Sequence, residues 1–153
     1  MKCNVLAVLQ ARTTSSRLPN KVLKEICGKP MIIHQLERIR RSRTIDEIVV
    51  ATSIDASDDH LVEILKQNDY QIFRGSLENV LERVYRAALG YLPEDVVRLT
   101  ADCPLADSDV IDLIVAEHLK EKNDYTSNTI TPNYPDGLDA EVIKFSSLEV
   151  ASQ

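Results

Sequence analysis

The stretch Val5-Leu6-Ala7-Val8-Leu9-Gln10-Ala11-Arg12-Thr13-Thr14-Ser15-Ser16-Arg17-Leu18-Pro19-Asn20-Lys21 decides the fold. Its first five residues form an unbroken apolar run of strand length, the pattern of a strand covered on both faces within a parallel sheet. The residues after Leu9 turn polar and cationic, so the run ends at a surface edge. Similar runs recur at Ile48-Val49-Val50-Ala51 and Val96-Val97-Arg98-Leu99, with a weaker one at Tyr70-Gln71-Ile72-Phe73.

Helical spacing fills the intervals. Residues 31 to 41 place Ile32, Leu36 and Ile39 on one face, and residues 58 to 67 do the same with Leu61, Ile64 and Leu65. Residues 77 to 91 carry Leu77, Val80, Leu81, Val84, Tyr85 and Ala88 at helical intervals, with Ser76 at the expected N-cap and Tyr85 expected in the core. A further helix is expected over 108 to 121, capped by Asp107 or Ser108. Strands alternating with helices define an α/β protein: three layers, α/β/α, around a mostly parallel sheet. Beyond Asn123 the pattern changes. Asp124 to Ser127 reads as a strand, Thr131 to Gly137 as turn chemistry, Leu138 to Ile143 as a half-exposed strand, and Ser147 to Ala151 as a helix.

A chain of 153 residues with 44% hydrophobic and 27% charged residues is expected to form a single domain over residues 1 to 153 around one core. A net charge of −6 argues against nucleic acid, whose binding needs a broad basic surface. The cluster Arg38, Arg40, Arg41 and Arg43 is expected to be a solvated helix C-terminus. No long apolar segment suggests a membrane span or secretory leader, so a cytoplasmic location is expected. The three cysteines, Cys3, Cys27 and Cys103, form no CxxC pair and are expected to be reduced, small buried residues.

The chemistry gathers in the loop after the first strand. Arg12, Arg17 and Lys21 stand there with four consecutive hydroxyl residues, at the carboxyl end of a strand, where open α/β sheets bind ligands. Arginine offers a planar fork of donors to phosphate oxygens and lysine a mobile point charge, which makes this a candidate polyanion site. A solvated loop paired with acidic neighbours is the alternative. None of the four glycines lies in the loop, so neither GxGxxG nor GxxxxGK[ST] can be written there.

Three ordered segments carry a resemblance. QARTTSSRLPNKVLKEICGKPMI is similar to the opening signature of the CMP-sugar synthetase (cytidylyltransferase) superfamily. FRGSLENVLERVYRAA and RLTADCPLADSDVID resemble its spore-coat polysaccharide branch, and PDGLDAEVI extends the likeness. The resemblance implies a Rossmann-like nucleotide-diphospho-sugar transferase fold and transfer of CMP from CTP to an acidic or related sugar, with pyrophosphate released. It implies that Ala11, Arg12, Ser16, Arg17 and Lys21 contact the nucleotide, with Arg12, Arg17 and Lys21 on the phosphates as the catalytic charges. Arg74, Gly75 and Ser76 match a segment near the nucleotide, and Thr100-Ala101-Asp102 stands where an aspartate binds Mg²⁺. Family members are longer, so the chain is expected to lack the C-terminal part, which supplies a second acidic metal ligand, part of the sugar pocket and the surface of a possible homodimer.

From the residues alone, Asp102 follows a buried-looking strand and reaches the same edge as the cationic loop, where Mg²⁺ takes one or two carboxylates besides phosphate and water. Asp139 and Glu141, two apart and so on one strand face, are weaker candidates for sugar hydroxyls or the metal. Asp55, Asp58 and Asp59 follow a strand end, two of them where helix N-caps and first-turn acids belong, and read as structural, as do His34, His60 and His118 on expected helices. No general base is evident. Two other classes stay open: a glycosyltransferase of similar fold, against which Asp102-Cys103-Pro104 is no DxD motif, and a non-catalytic nucleotide-binding module.

Overall fold

A computed structural model describes residues 3–153. Among the described residues the central sheet has six strands: β1 (Val5–Gln10), β4 (Glu47–Ser53), β5 (Gln71–Gly75), β6 (Asp95–Thr100), β7 (Tyr125–Ser127) and β8 (Glu141–Lys144). Their order is β5-β4-β1-β6-β8-β7. The first four run parallel, while β8 runs antiparallel to both β6 and β7. A separate two-stranded hairpin joins β2 (Glu25–Ile26) and β3 (Lys29–Pro30).

Among the described residues five α-helices cover the sheet: α1 (Met31–Ile39), α2 (Asp59–Gln67), α3 (Val80–Leu89), α4 (Ser108–Glu121) and α5 (Phe145–Ala151). The pleat of β1 sorts the layers. Val5, Ala7 and Leu9 pack with Ile32, Leu36, Leu61, Leu65, Ile111 and Val115, which places α1, α2 and α4 on one face. Leu6 and Val8 pack with Val84, Ala88 and Leu148, which places α3 and α5 on the other. The expected three-layer α/β/α architecture is therefore present, built on strands buried from both sides.

Chain order creates the decisive feature. From β1 the chain winds outward through β4 and β5, then returns to β6 on the opposite flank of β1. The winding reverses between β1 and β6, and the loops leaving their adjacent carboxyl ends border a crevice.

Several local expectations need correction. Helix α3 begins at Val80, and its cap is Asn79, whose side chain accepts from the Glu82 amide at 3.0 Å, rather than Ser76. The reason is Arg83, whose guanidinium takes the carbonyls of Ser76 and Leu77 and holds that segment out of the helix. Asp107 caps α4 as expected, accepting from the Asp109 and Val110 amides. Strand β8 starts at Glu141, so Asp139 lies before it and the two do not share a strand face. Tyr85 is only partly buried: it stacks on Phe145 and donates its hydroxyl to Glu149.

The cysteine expectation holds for Cys3, which is buried, but Cys27 is exposed at the hairpin tip and Cys103 is intermediate. Cys27 and Gly28 adopt positive φ of 51° and 75°, the backbone of a two-residue hairpin turn that the sequence pattern does not announce. The arginine cluster is more than a solvated helix end. Arg38 donates to the Ala106 carbonyl, Arg40 lies 4.5 Å from the Tyr70 ring centroid, and Arg43 reaches Asp112. Among the described residues no helix is long and apolar enough to cross a membrane.

Candidate nucleotide site

The crevice between β1 and β6 holds a cavity of about 240 Å³ lined by Gln10, Ala11, Arg12, Ser15, Ser16, Arg17, Lys21, Val22, Thr100, Ala101 and Asp102. Two chain segments build it. Gln10 and Thr100 are register partners on β1 and β6, and Ala101 donates its amide to the Gln10 carbonyl at 2.9 Å, so both loops leave the sheet side by side.

The first loop is folded back on itself. The Thr13 carbonyl accepts from the Ser15 and Asn20 amides, each at 2.9 Å, which closes a ring of backbone from Thr13 to Asn20. Asn20 sits in the left-handed region at φ 56°, a conformation its short polar side chain tolerates. A turn of 3₁₀ helix over Lys21–Leu23 comes next, anchored by the buried Val22, and this turn aims Lys21 inward.

Charge is concentrated here against the trend of an acidic chain. Arg12 and Arg17 are exposed, and no hydrogen bond or ion pair engages their guanidinium groups among the described residues. Lys21 Nζ lies 2.7 Å from Asp102 Oδ2. Burial opposes ionisation of Asp102, but hydrogen bonds from Lys21 and Thr100 outweigh it and hold the carboxyl below its usual range. The carboxylate is therefore charged at neutral pH, as a metal ligand must be.

The expected site residues divide. Ala11, Arg12, Ser16, Arg17, Lys21, Thr100, Ala101 and Asp102 meet at this cavity. Arg74, Gly75 and Ser76 do not join them: they sit two strands away, at the end of β5, around a separate cavity of about 520 Å³. There Arg74 binds the Ser53 and Asp55 carbonyls and pairs with Asp59. Asp139 shares a third cavity of about 720 Å³ with Arg17, Asp102 and the turn from Pro135 to Leu138. Glu141 faces Arg98 at 2.6 Å, and Arg98 in turn donates to Gln10.

Mg²⁺ binds through one or two carboxylates, with phosphate oxygens and water completing its shell. Asp102 fits that demand, being ionised and 39% exposed at the cavity wall. No group of three or more His, Cys, Asp or Glu side chains among the described residues could form a protein-only metal cage.

Sequence reasoning missed the contact that anchors the loop. Asp58 stands at the N-cap position of α2 but makes no capping bond; it is buried and accepts both the amide and the hydroxyl of Thr13. Its spacing from a helix start concealed a long-range contact that no local pattern signals.

Fold and site together define an open, mostly parallel α/β protein with a cationic pocket at the carboxyl edge, where its winding reverses. Residues 6–153 match the cytidylyltransferase family, and the chain belongs to that family. It is 32% identical to the spore coat polysaccharide biosynthesis protein SpsF of Bacillus subtilis, over 95% of this chain and 61% of that protein. It is 34% identical to the 3-deoxy-manno-octulosonate cytidylyltransferase of Anaeromyxobacter sp. (strain K), over 73% of this chain and 46% of that enzyme. The structure of a cytidylyltransferase from Leptospira borgpetersenii superposes with a TM-score of 0.87 at 33% identity, covering 98% of this chain and 63% of that one. The chain thus spans less than two thirds of the length of each.

Proposed function

We propose that this chain binds CTP at the crevice between β1 and β6 and takes part in transferring CMP to a sugar, with release of pyrophosphate. The observation that carries the proposal is the convergence of Arg12, Arg17 and Lys21 with Asp102 around one cavity, in a chain whose net charge is −6. Family membership supplies the nucleotide, since a cationic pocket alone selects phosphate and not cytosine.

Arg12 and Arg17 carry donor forks that no described residue engages, and they bind phosphate oxygens as charge-assisted pairs. Lys21 is held on Asp102, which keeps its ammonium at the cavity wall until phosphate shares it. When the α-phosphorus is attacked by a sugar hydroxyl, negative charge grows on the departing pyrophosphate, and these three cations stabilise it. Asp102 would hold Mg²⁺, which when bound supplies charge neutralisation on phosphate oxygens.

The neighbouring cavity, with Asp139 and the turn from Pro135, adjoins Asp102 and is the place for the sugar. Arg17 lines both cavities and can pair with a sugar carboxylate, which favours an acidic sugar; the named substrate of the Anaeromyxobacter relative is one.

The test is pyrophosphate release with Mg²⁺, each nucleoside triphosphate in turn and a panel of sugar acids. Release with CTP, reduced on the order of 100-fold in Arg12→Ala and Asp102→Ala, supports the reading. Stabilisation by CTP without turnover would reduce the chain to a nucleotide-binding module. No response to any triphosphate would reject the site.

A further inference from the structure

Asp58 does not line the nucleotide cavity, yet the loop that does line it hangs from this carboxylate. The side chain is 0% exposed. Its Oδ1 accepts from the Thr13 amide at 2.8 Å and the Thr13 hydroxyl at 2.7 Å. Its Oδ2 accepts from the Thr52 hydroxyl at 2.9 Å, the Ser53 amide at 3.1 Å and the Ser53 hydroxyl. One oxygen is thus fixed to the end of β4 and the other to the residue directly after Arg12.

Thr13 passes the constraint on. It is 3% exposed, its hydroxyl also reaches the Ser57 carbonyl, and its own carbonyl accepts from Ser15 and Asn20. The ring of backbone carrying Ser16 and Arg17, and leading into Lys21, therefore has one buried anchor. Burying a carboxylate is costly unless every lone pair is used, and helix capping would not require it. Here burial pushes against ionisation, while hydrogen bonds from Ser53, Thr13 and Thr52 outweigh it and keep the group charged.

Arg83 adds a reason for a charge at this point. It is 1% exposed, and its Nε and Nη2 find no partner among the described residues. Burial is the main influence lowering its pKa; repulsion from Arg12 adds to it, and attraction to Asp58 opposes it. The Asp58 charge thus favours the buried Arg83 cation, against burial and the repulsion from Arg12.

We propose that Asp58 is a positioning residue for the nucleotide phosphates, setting the place of Arg12 and of the loop to Lys21 through its paired bonds to Thr13; this rests on the CTP reading above. Removing its charge loosens the loop while leaving the side chains that touch phosphate chemically unchanged.

The variants are Asp58→Asn, Thr13→Val, Thr13→Ser and, as a control, Asp112→Asn, which disrupts a similarly bonded carboxylate on α4, tied to the turn after α1 and outside the lining of the cavity. Two measurements are made at a temperature where each variant is fully folded: affinity for Mg²⁺-CTP by calorimetry, and amide exchange across residues 12 to 21. Asp58→Asn and Thr13→Val are expected to weaken binding about tenfold or more and to speed exchange in that loop selectively. Thr13→Ser keeps both donors and restores wild-type affinity, and Asp112→Asn loses stability without losing affinity. Should Asp58→Asn fail to fold, Thr13→Val carries the test alone. Wild-type affinity in Thr13→Val, or an equal loss in Asp112→Asn, overturns the role. Wild-type protein that does not bind Mg²⁺-CTP would remove the nucleotide reading and this role together, whereas normal wild-type binding with unaltered variants removes the role only.

Discussion

Lys21 and Asp102, 81 positions apart, meet as an ion pair of 2.7 Å across the mouth of the crevice between β1 and β6. The two side chains are 24% and 39% exposed, so the pair contributes little to stability, about 0–1 kcal/mol. Its value lies in holding a cation and the carboxylate proposed for Mg²⁺ beside each other. Lys21→Met is therefore expected to leave the melting temperature nearly unchanged while lowering turnover with CTP on the order of 100-fold. Thermal melts and pyrophosphate release on the same preparation check both halves; a large loss of stability with normal turnover would assign the pair to the fold.

Asp112 presents the opposite balance. Its carboxylate accepts from the Ser42 and Thr44 hydroxyls and from the Arg43 and Thr44 amides, tying the turn after α1 to α4. Burial opposes ionisation, but these hydrogen bonds win and bring the pKa from 3.8 down to about 2. A carboxyl depressed by folding stabilises above its unfolded pKa and loses that contribution as pH falls through the folded value. The window is about pH 4 down to about 2, and the contribution is about 2 kcal/mol. Urea titrations at descending pH should show this loss in the wild type and a shallower one in Asp112→Asn.

How much of the molecule is legible in its sequence depends on the range of the interaction. The layers were readable because β1 is apolar at nearly every position and α1, α2 and α4 repeat with helical spacing. The convergence of Arg12, Arg17, Lys21 and Asp102 was readable because two buried parallel strands deliver their loops to one edge. What stayed hidden was long-range polar bonding. Asp58 resembles a cap in sequence but bonds Thr13, 45 positions away, and Ser76 resembles a cap but yields its carbonyl to Arg83. Side-chain reach across the fold leaves no periodic trace. The hairpin of β2 and β3 was missed because two-residue strands are too short to show alternation.

Glu141 illustrates a group whose role must be separated by experiment. It pairs with Arg98 at 2.6 Å, and the side chains are only 22% and 28% exposed. Arg98 also donates to Gln10, which lines the cavity between β1 and β6. Glu141→Ala leaves a half-buried guanidinium without its carboxylate, so a cost of about 1–3 kcal/mol is expected in denaturant titrations. A double-mutant cycle with Arg98→Met should recover much of that loss. If stability is unmoved and sugar affinity falls instead, Glu141 belongs to the sugar site.

Cys27 occupies a position that disfavours its side chain. It leads the two-residue turn of the hairpin at φ 51°, with Gly28 next at 75°. Both central residues of such a turn need positive φ, and Asn-Gly meets the requirement because asparagine tolerates the left-handed region while other branched or bulky residues pay about 1–2 kcal/mol there. The thiol is exposed, so replacing it removes no core contact. Cys27→Asn should therefore stabilise the protein by about 0.5–1 kcal/mol, and Cys27→Val should destabilise it by a similar amount, the β-branch clashing with its own backbone. Thermal melts of the two variants under reducing conditions separate a backbone effect from loss of thiol chemistry, since both lack the sulfur and only the conformational preference differs. Equal melting temperatures for the asparagine and valine variants would mean that the turn relaxes out of the left-handed region in solution.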